Sequence, residues 1–295
     1  MREQNTRLGI LLMSVTSLVF ALQDGISRHL AGEYNVYMVV TIRFWFFAAF
    51  VIALAARQPG GIRAAARTHF PRLQIGRGAL LVAEICVTVV AFVKLGLVAT
   101  HAIFACYPLL VAALSGPVLG EAVGWRRWTA IGVGFLGILI ILQPGVTVFA
   151  PTALIPLVGA LMFAVYVLMT RYVSRRDPAS VTFFWVGIVG AVAMTPFGIH
   201  YWQPMSLGDS AWMLVLCATA VTAHYLMIRA FEVAEASAIQ PFAYLQLAFI
   251  AVLGVTVFGE TLRPNVVLGC AVVVCASLFT LWRARVRGQE DGFRA

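Results

Sequence analysis

The chain has 295 residues, 61% apolar and 11% charged, with a formal net charge of +9. A soluble domain is roughly half apolar and a quarter charged. This composition therefore excludes a water-facing globule and makes the bilayer the solvent.

A helix needs about 20 apolar residues to cross the hydrocarbon layer. Taken in order, ten segments qualify: 8–30, 36–56, 74–94, 98–119, 127–143, 152–172, 179–199, 210–229, 237–258 and 264–282. The first follows Arg2 and Arg7. It is too long for a signal-peptide core and no A-x-A site follows it, so it is expected as a retained span. Short linkers make neighbouring spans antiparallel, and the abundant Gly and Ala suit close helix contact in lipid. The expected fold class is therefore all-α, a polytopic membrane protein of ten transmembrane helices. Cys86, Cys106, Cys217, Cys270 and Cys275 lie inside apolar segments without metal-ligand spacing and read as inert thiols. The sequence offers no metal site and no cofactor motif.

The basic residues, all arginine except Lys94, are spread between apolar runs. That pattern argues against a nucleic-acid partner and for membrane orientation. With the N-terminus in the cytoplasm, Arg57, Arg63, Arg67, Arg72, Arg77, Arg126, Arg127, Arg171, Arg175, Arg176, Arg229 and both terminal clusters fall on the inner side. The outer side keeps Arg28, Lys94 and Arg263, and Arg43 lies within the second span. The positive-inside rule then puts both termini in the cytoplasm of a protein in the cell membrane. Trp125, Trp128 and Trp282 fall at the inner interface, and Trp202 and Trp212 at the outer one.

The two halves repeat. Leu18-x-Phe20-Ala21 with Ser27-Arg28 matches Leu161-x-Phe163-Ala164 with Thr170-Arg171, and Phe44-Trp45 matches Phe184-Trp185. Lys94 before Ala102-Ile103 resembles Arg229 before Ala238-Ile239, and Gly120-Glu121 matches Gly259-Glu260. The expected units are 1–145 and 146–295. Five spans per unit is an odd number, so the second copy enters the membrane inverted, a common plan of secondary transporters with substrate bound near the midplane.

Two EamA-type repeats, each closing on Gly-Glu before a Gly-rich last span, resemble the ten-helix drug/metabolite transporter superfamily over nearly the whole chain. Arg43-Phe44 and Tyr107-Pro108 also fit that pattern. Within the superfamily the chain is most similar to YddG-type exporters of aromatic amino acids. The resemblance implies a cytoplasmic-membrane exporter with a central cavity shared by both repeats. The expected partners are the lipid bilayer and a small metabolite, and the expected state is a monomer.

Polar groups inside a span are costly and are functional candidates by default. Arg43 and Asp24 lie on antiparallel neighbours, so a buried ion pair is expected; it either locks two helices or meets a substrate carboxylate and ammonium. Asp24 and Glu84 are the candidate proton carriers. His101 opens the fourth span near the outer face, and His224 reads as a packed core histidine. Phe20, Gln23 and Ser27 share one helical face, as do Phe163, Tyr166 and Thr170 in the sixth span. Tyr107-Pro108 and Gln240-Pro241 mark freed backbone at membrane depth, tolerated where it lines a cavity. The expected substrate-binding set is Phe20, Gln23, Arg43, Trp45, His101, Tyr107, Phe163, Tyr166, Trp185, Tyr244 and Gln246. Such a cavity suits an amphipathic, partly aromatic solute, most simply a neutral amino acid. A single mid-membrane arginine argues against strongly anionic cargo. Ala113-Leu114-Ser115-Gly116 faintly resembles an intramembrane protease motif but lacks its first glycine, and a channel is the third class considered.

Overall fold

A computed structural model describes residues 5–119, 125–142, 151–173, 176–233, 242–276 and 279. All regular structure among them is helical. Six helices are long and apolar enough to cross a membrane. They are α1 (Thr6–Glu33), α2 (Val36–Ala56), α4 (Pro71–Leu95), α8 (Leu154–Val173), α9 (Ala179–His200) and α10 (Leu207–Val233). Four shorter apolar helical stretches, Leu97–Val111, Ile131–Ile141, Leu245–Thr256 and Pro264–Ala276, occupy the other four expected spans. The remaining elements are α3 (Gly61–Ala66), α5 (Leu97–Phe104), α6 (Tyr107–Leu119), α7 (Trp125–Leu142) and α11 (Leu245–Thr256). The last helix, Pro264–Ala276, is α12.

Local chemistry sets the helix starts. Asn5 and Asn35 cap α1 and α2, their side-chain oxygens accepting from Leu8 N at 3.0 Å and Met38 N at 2.8 Å. Pro71 opens α4 where no backbone donor is needed. The six-residue α3 went unforeseen, because one turn of Gly and Ala carries no span-length signal.

The fourth span is not the single helix expected over 98–119. It breaks at Ala105-Cys106, where the Cys106 carbonyl accepts from both Leu109 N and Leu110 N at 2.9 and 3.2 Å. Pro108 lacks the N–H that would continue the ladder, so the chain restarts as α6 with the proline in its first turn. In the ninth span, α11 begins after Tyr244. Gly120-Glu121, Ala238-Ile239, Gln240-Pro241, Trp282 and the side chains of Pro108 and Ser115 lie outside the described residues.

Helix neighbours follow the repeat. α1 packs on α10 and α11, and α8 packs on α4 and on both pieces of the fourth span, α5 and α6. Exchanging the halves turns the first set into the second. α2 packs on α9, its own counterpart. Missing side chains permit these close crossings. A Cβ on Gly190 of α9 would stand 2.1 Å from the Phe44 ring of α2. Where α7 meets α12, a Cβ on Gly269 would stand 2.6 Å from the Gly137 carbonyl. The core between the halves is filled by Phe44, Phe47, Leu81, Phe92, Tyr166 and Phe183.

Candidate substrate site

The far face of the bundle, where α1 ends, is held by Glu260. Its carboxylate accepts from Leu97 N at 2.8 Å and Val98 N at 2.9 Å, capping α5, and is ion-paired with Arg28. Gly96 makes the turn into α5 at φ +88°, a region that suits glycine. A Cβ there would meet Glu260 Oε1 at 2.7 Å.

The opposite face, where α1 begins, is held by Asp177. It accepts from Thr68 Oγ1, from the His69 backbone N at 2.9 Å and from Gln74 Nε2 at 2.9 Å, and contacts His69 Nδ1 at 3.0 Å. Burial opposes its charge, but these donors together hold the carboxyl below the usual range. Beside it lies Arg77, with no exposed surface. Its guanidinium donates to Gln74 Oε1 at 2.8 and 3.2 Å, to the Thr182 carbonyl at 2.7 Å, and to Tyr166 OH and Thr170 Oγ1 at 3.3 Å each. It also sits 5.4 Å from the Tyr166 ring. The sequence placed Arg77 on the inner side as an orienting charge. The structure gives its side chain a further part, tying α4 to α8 and α9.

A wall of rings runs from Arg77 towards the far face. Tyr166 stacks on Phe163 at 5.8 Å, and Phe163 touches Tyr107 at 5.0 Å and Phe104 at 5.5 Å. Phe104 reaches His101 at 6.2 Å, which stacks on Phe92 at 5.2 Å. The break between α5 and α6 supplies two of these rings and α8 two more.

At the end of this wall, Asp24 collects polar groups from three helices. Gln246 of α11 donates Nε2 to Oδ2 at 2.9 Å, and neighbouring Gln23 donates Nε2 to Oδ1 at 3.4 Å. His101 of α5 brings Nε2 to 3.2 Å from Oδ2, without the alignment of a hydrogen bond. Tyr244, Tyr107 and Leu247 pack against the apolar cluster that holds Val98, Ala102 and Cys106.

The expected Arg43–Asp24 pair does not form. Arg43 is 4% exposed and makes neither a hydrogen bond nor an ion pair among the described residues, and its Nε is orphaned. Asp24 accepts instead from Gln246 of α11 and from Gln23 beside it, and lies against His101 of α5. Glu84 accepts from Thr88 Oγ1 at 2.7 Å within its own helix. His224 is buried, bonded through Nδ1 to the Ala220 carbonyl at 3.0 Å, with Phe20 at its edge.

Two expected residues stand apart. Trp45 is 38% exposed, stacks on Trp202 and donates Nε1 to Thr195 Oγ1 at 2.8 Å. Trp185 donates Nε1 to the Ala66 carbonyl at 3.2 Å, by α3. The repeat match marked both by position; it carried no information on which way their helix faces turn. Missed by sequence reasoning were Phe92, Phe104 and Thr100, the last a buried hydroxyl with no partner among the described residues. His101, expected near the outer face, is buried.

The chain matches the description "EamA-like transporter family" over residues 7–143 and again over 151–282. It is 28% identical over 294 residues to a riboflavin transporter of Vibrio cholerae, covering 96% of each chain. It is 25% identical over 272 residues to an S-adenosylmethionine uptake transporter of Rickettsia prowazekii, covering 92% of this chain and 90% of that one. A further riboflavin transporter, from Brucella anthropi, is 29% identical over 254 residues, with 82% and 87% covered. A solved structure titled "Crystal structure of protein" shares the fold with a TM-score of 0.64 at 16% identity, over 94% of this chain and 98% of that one. These relatives lend no support to the narrower expectation of an aromatic amino acid exporter. Two matching copies along one all-helical chain make this protein a member of the EamA-like transporter family.

Proposed function

We propose that this protein is a secondary transporter that works by alternating access around a mid-membrane site. Its cargo is a small metabolite combining a flat ring system with a polar head. The observation that carries this reading is the meeting of the ring wall with the Asp24 cluster at the break in the fourth span. Asp24 and His101 come from the first half and Gln246 from the second. Rocking one half against the other alters this cluster, which is what a transport site between inverted repeats requires. Rings accept a planar solute and the polar end fixes its orientation. S-adenosylmethionine and riboflavin, the cargoes named for the relatives, both join a fused heteroaromatic ring to a polar chain. Aromatic amino acids fit the same description in smaller form. With both termini cytoplasmic, as the arginine distribution favours, Asp177 closes the inner face and Glu260 the outer one. The direction of net flux, export or uptake, follows the gradient the carrier experiences.

Counterflow in proteoliposomes tests this. Labelled S-adenosylmethionine, riboflavin and tryptophan are offered against the same unlabelled solute inside. Saturable, competed accumulation of at least one is expected. Non-saturable leak or single-channel conductance overturns the carrier reading.

A further inference from the structure

At the near face, where α1 begins, a cavity of about 190 Å³ lies between the ends of α2, α9 and α10. Val51 and Gln58 of α2, Ser180 and Phe183 of α9, and Tyr225 and Arg229 of α10 line it. Ala65 of α3 forms one side, and the Ala66 carbonyl next to it accepts from Trp185 Nε1 of α9. The cavity is no part of the ring wall, which is built on α4, α5, α6 and α8. Toward the membrane centre it is backed by packed rings, with Phe183 4.7 Å from buried Phe47 and Phe47 6.0 Å from His224. Its volume is below the roughly 300 Å³ of pockets that enclose drug-sized ligands. It therefore suits a headgroup and not a flavin or a nucleoside.

The rim of the cavity belongs to the bilayer-facing sides of two spans. On α2, Phe46, Phe50 and Ala53 are exposed at one-turn steps and lead to exposed Arg57. On α10, Leu214, Ala218, Thr222 and Tyr225 do the same and lead to exposed Arg229. Each stripe runs along lipid and ends in an arginine at headgroup depth. A guanidinium there matches two phosphate oxygens at once. Arg63 of α3 and Arg67 at its end add positive charge. No described carboxylate lines the cavity. The near-face acid Asp177 is taken up by Thr68, His69 and Gln74.

We propose that this cavity binds one anionic phospholipid of the adjoining leaflet. Arg229 and Arg57 hold its phosphate, Gln58 and Ser180 bond phosphate or glycerol oxygens, and an acyl chain leaves past Tyr225 along α10. What joins these parts is a recess free of carboxylates, set between two lipid-facing stripes that each end in arginine. Basic recesses between spans recur as sites for such headgroups. The bound lipid ties the near-face ends of α2 and α10 together. The site goes beyond the transport reading and does not depend on it.

Native mass spectrometry of the full chain in detergent tests this, with phosphatidylglycerol and phosphatidylcholine of the same acyl chains titrated separately. The first phosphatidylglycerol should bind about fivefold or more tightly than the first phosphatidylcholine. Arg229→Gln and Arg57→Gln should each weaken phosphatidylglycerol binding by about fivefold. Arg72→Gln, exposed at the start of α4 and outside the cavity, should leave the preference intact. Ser180→Trp keeps every charge and fills the recess, so it should abolish the preference, and it serves even where an arginine variant fails to fold. Equal binding of the two lipids by the wild type overturns the proposal. A loss in Arg72→Gln as large as in Arg229→Gln overturns it too, as does a preference that survives Ser180→Trp, since either means diffuse attraction to surface charge. Loss of the preference in millimolar inorganic phosphate at constant ionic strength reassigns the cavity to a free anion and overturns the lipid as its occupant.

Discussion

Arg77 and Arg43 are both arginines buried on membrane-spanning helices, yet their surroundings are opposite. Arg77 has partners for its whole guanidinium from its own helix, from α8 and from α9. Arg43 has none. The first is a staple, and removing it leaves the Gln74 oxygen and the Thr182 carbonyl without their donors. The second is a buried cation whose Nε has no partner among the described residues. Burial of charge alone therefore does not mark a site in this protein; the degree of satisfaction does.

The largest effect expected is on the saturated side. Arg77→Ala should destabilise the detergent-solubilised protein by about 3 kcal/mol or more, since buried polar partners lose their donors at once. Thermal unfolding measures it, and a stable Arg77→Ala protein would erase the contrast. The far-face latch should come next. Glu260→Gln leaves Arg28 unpaired and weakens the cap on α5, at a cost of about 1.5–3 kcal/mol.

Asp177 predicts a pH dependence. Its folded pKa is depressed by its donors, so its contribution is complete above the unfolded carboxylate range and disappears as pH falls through and below it. Asp177→Asn should flatten the acid limb of a stability–pH profile relative to wild type. An unchanged acid limb would deny that the Thr68, His69 and Gln74 bonds hold the near face. The smallest effect is expected at Trp45. It lies on the outside of α2 and touches only Trp202 and Thr195 in the polar and ring contacts described. Trp45→Phe should change stability by less than about 0.5 kcal/mol and leave counterflow unaltered.

These regions were unequally legible in the sequence. Apolar runs located ten helical stretches, six of them long enough among the described residues to cross a membrane, because the hydrocarbon thickness sets a minimum length. Tyr107-Pro108 pointed to freed backbone, and the helix does break there, since proline acts through its own covalent structure. Long-range partners were another matter. That Asp24 would be met by Gln246 depends on how α11 docks on α1, 222 residues away, and no local pattern records it. The stapling role of Arg77 went unseen because counting arginines per membrane side says nothing of what a side chain near a span end bonds to. The nearby cue was Gln74, one turn earlier on the same helical face, beyond the opening proline. Trp45 and Trp185 matched by repeat position, but α2 and α9 meet through Gly187, Gly190 and Phe44, which turns those indoles elsewhere.

Arg43→Met, measured in parallel for stability and for counterflow, tests the central contrast most directly. An unmatched buried charge replaced by an apolar side chain of similar length should leave the melting temperature unchanged or raised, while accumulation of labelled substrate falls to the level of empty liposomes. A variant that melts lower and still transports at the wild-type rate would contradict the account, making Arg43 a structural group and moving the site elsewhere.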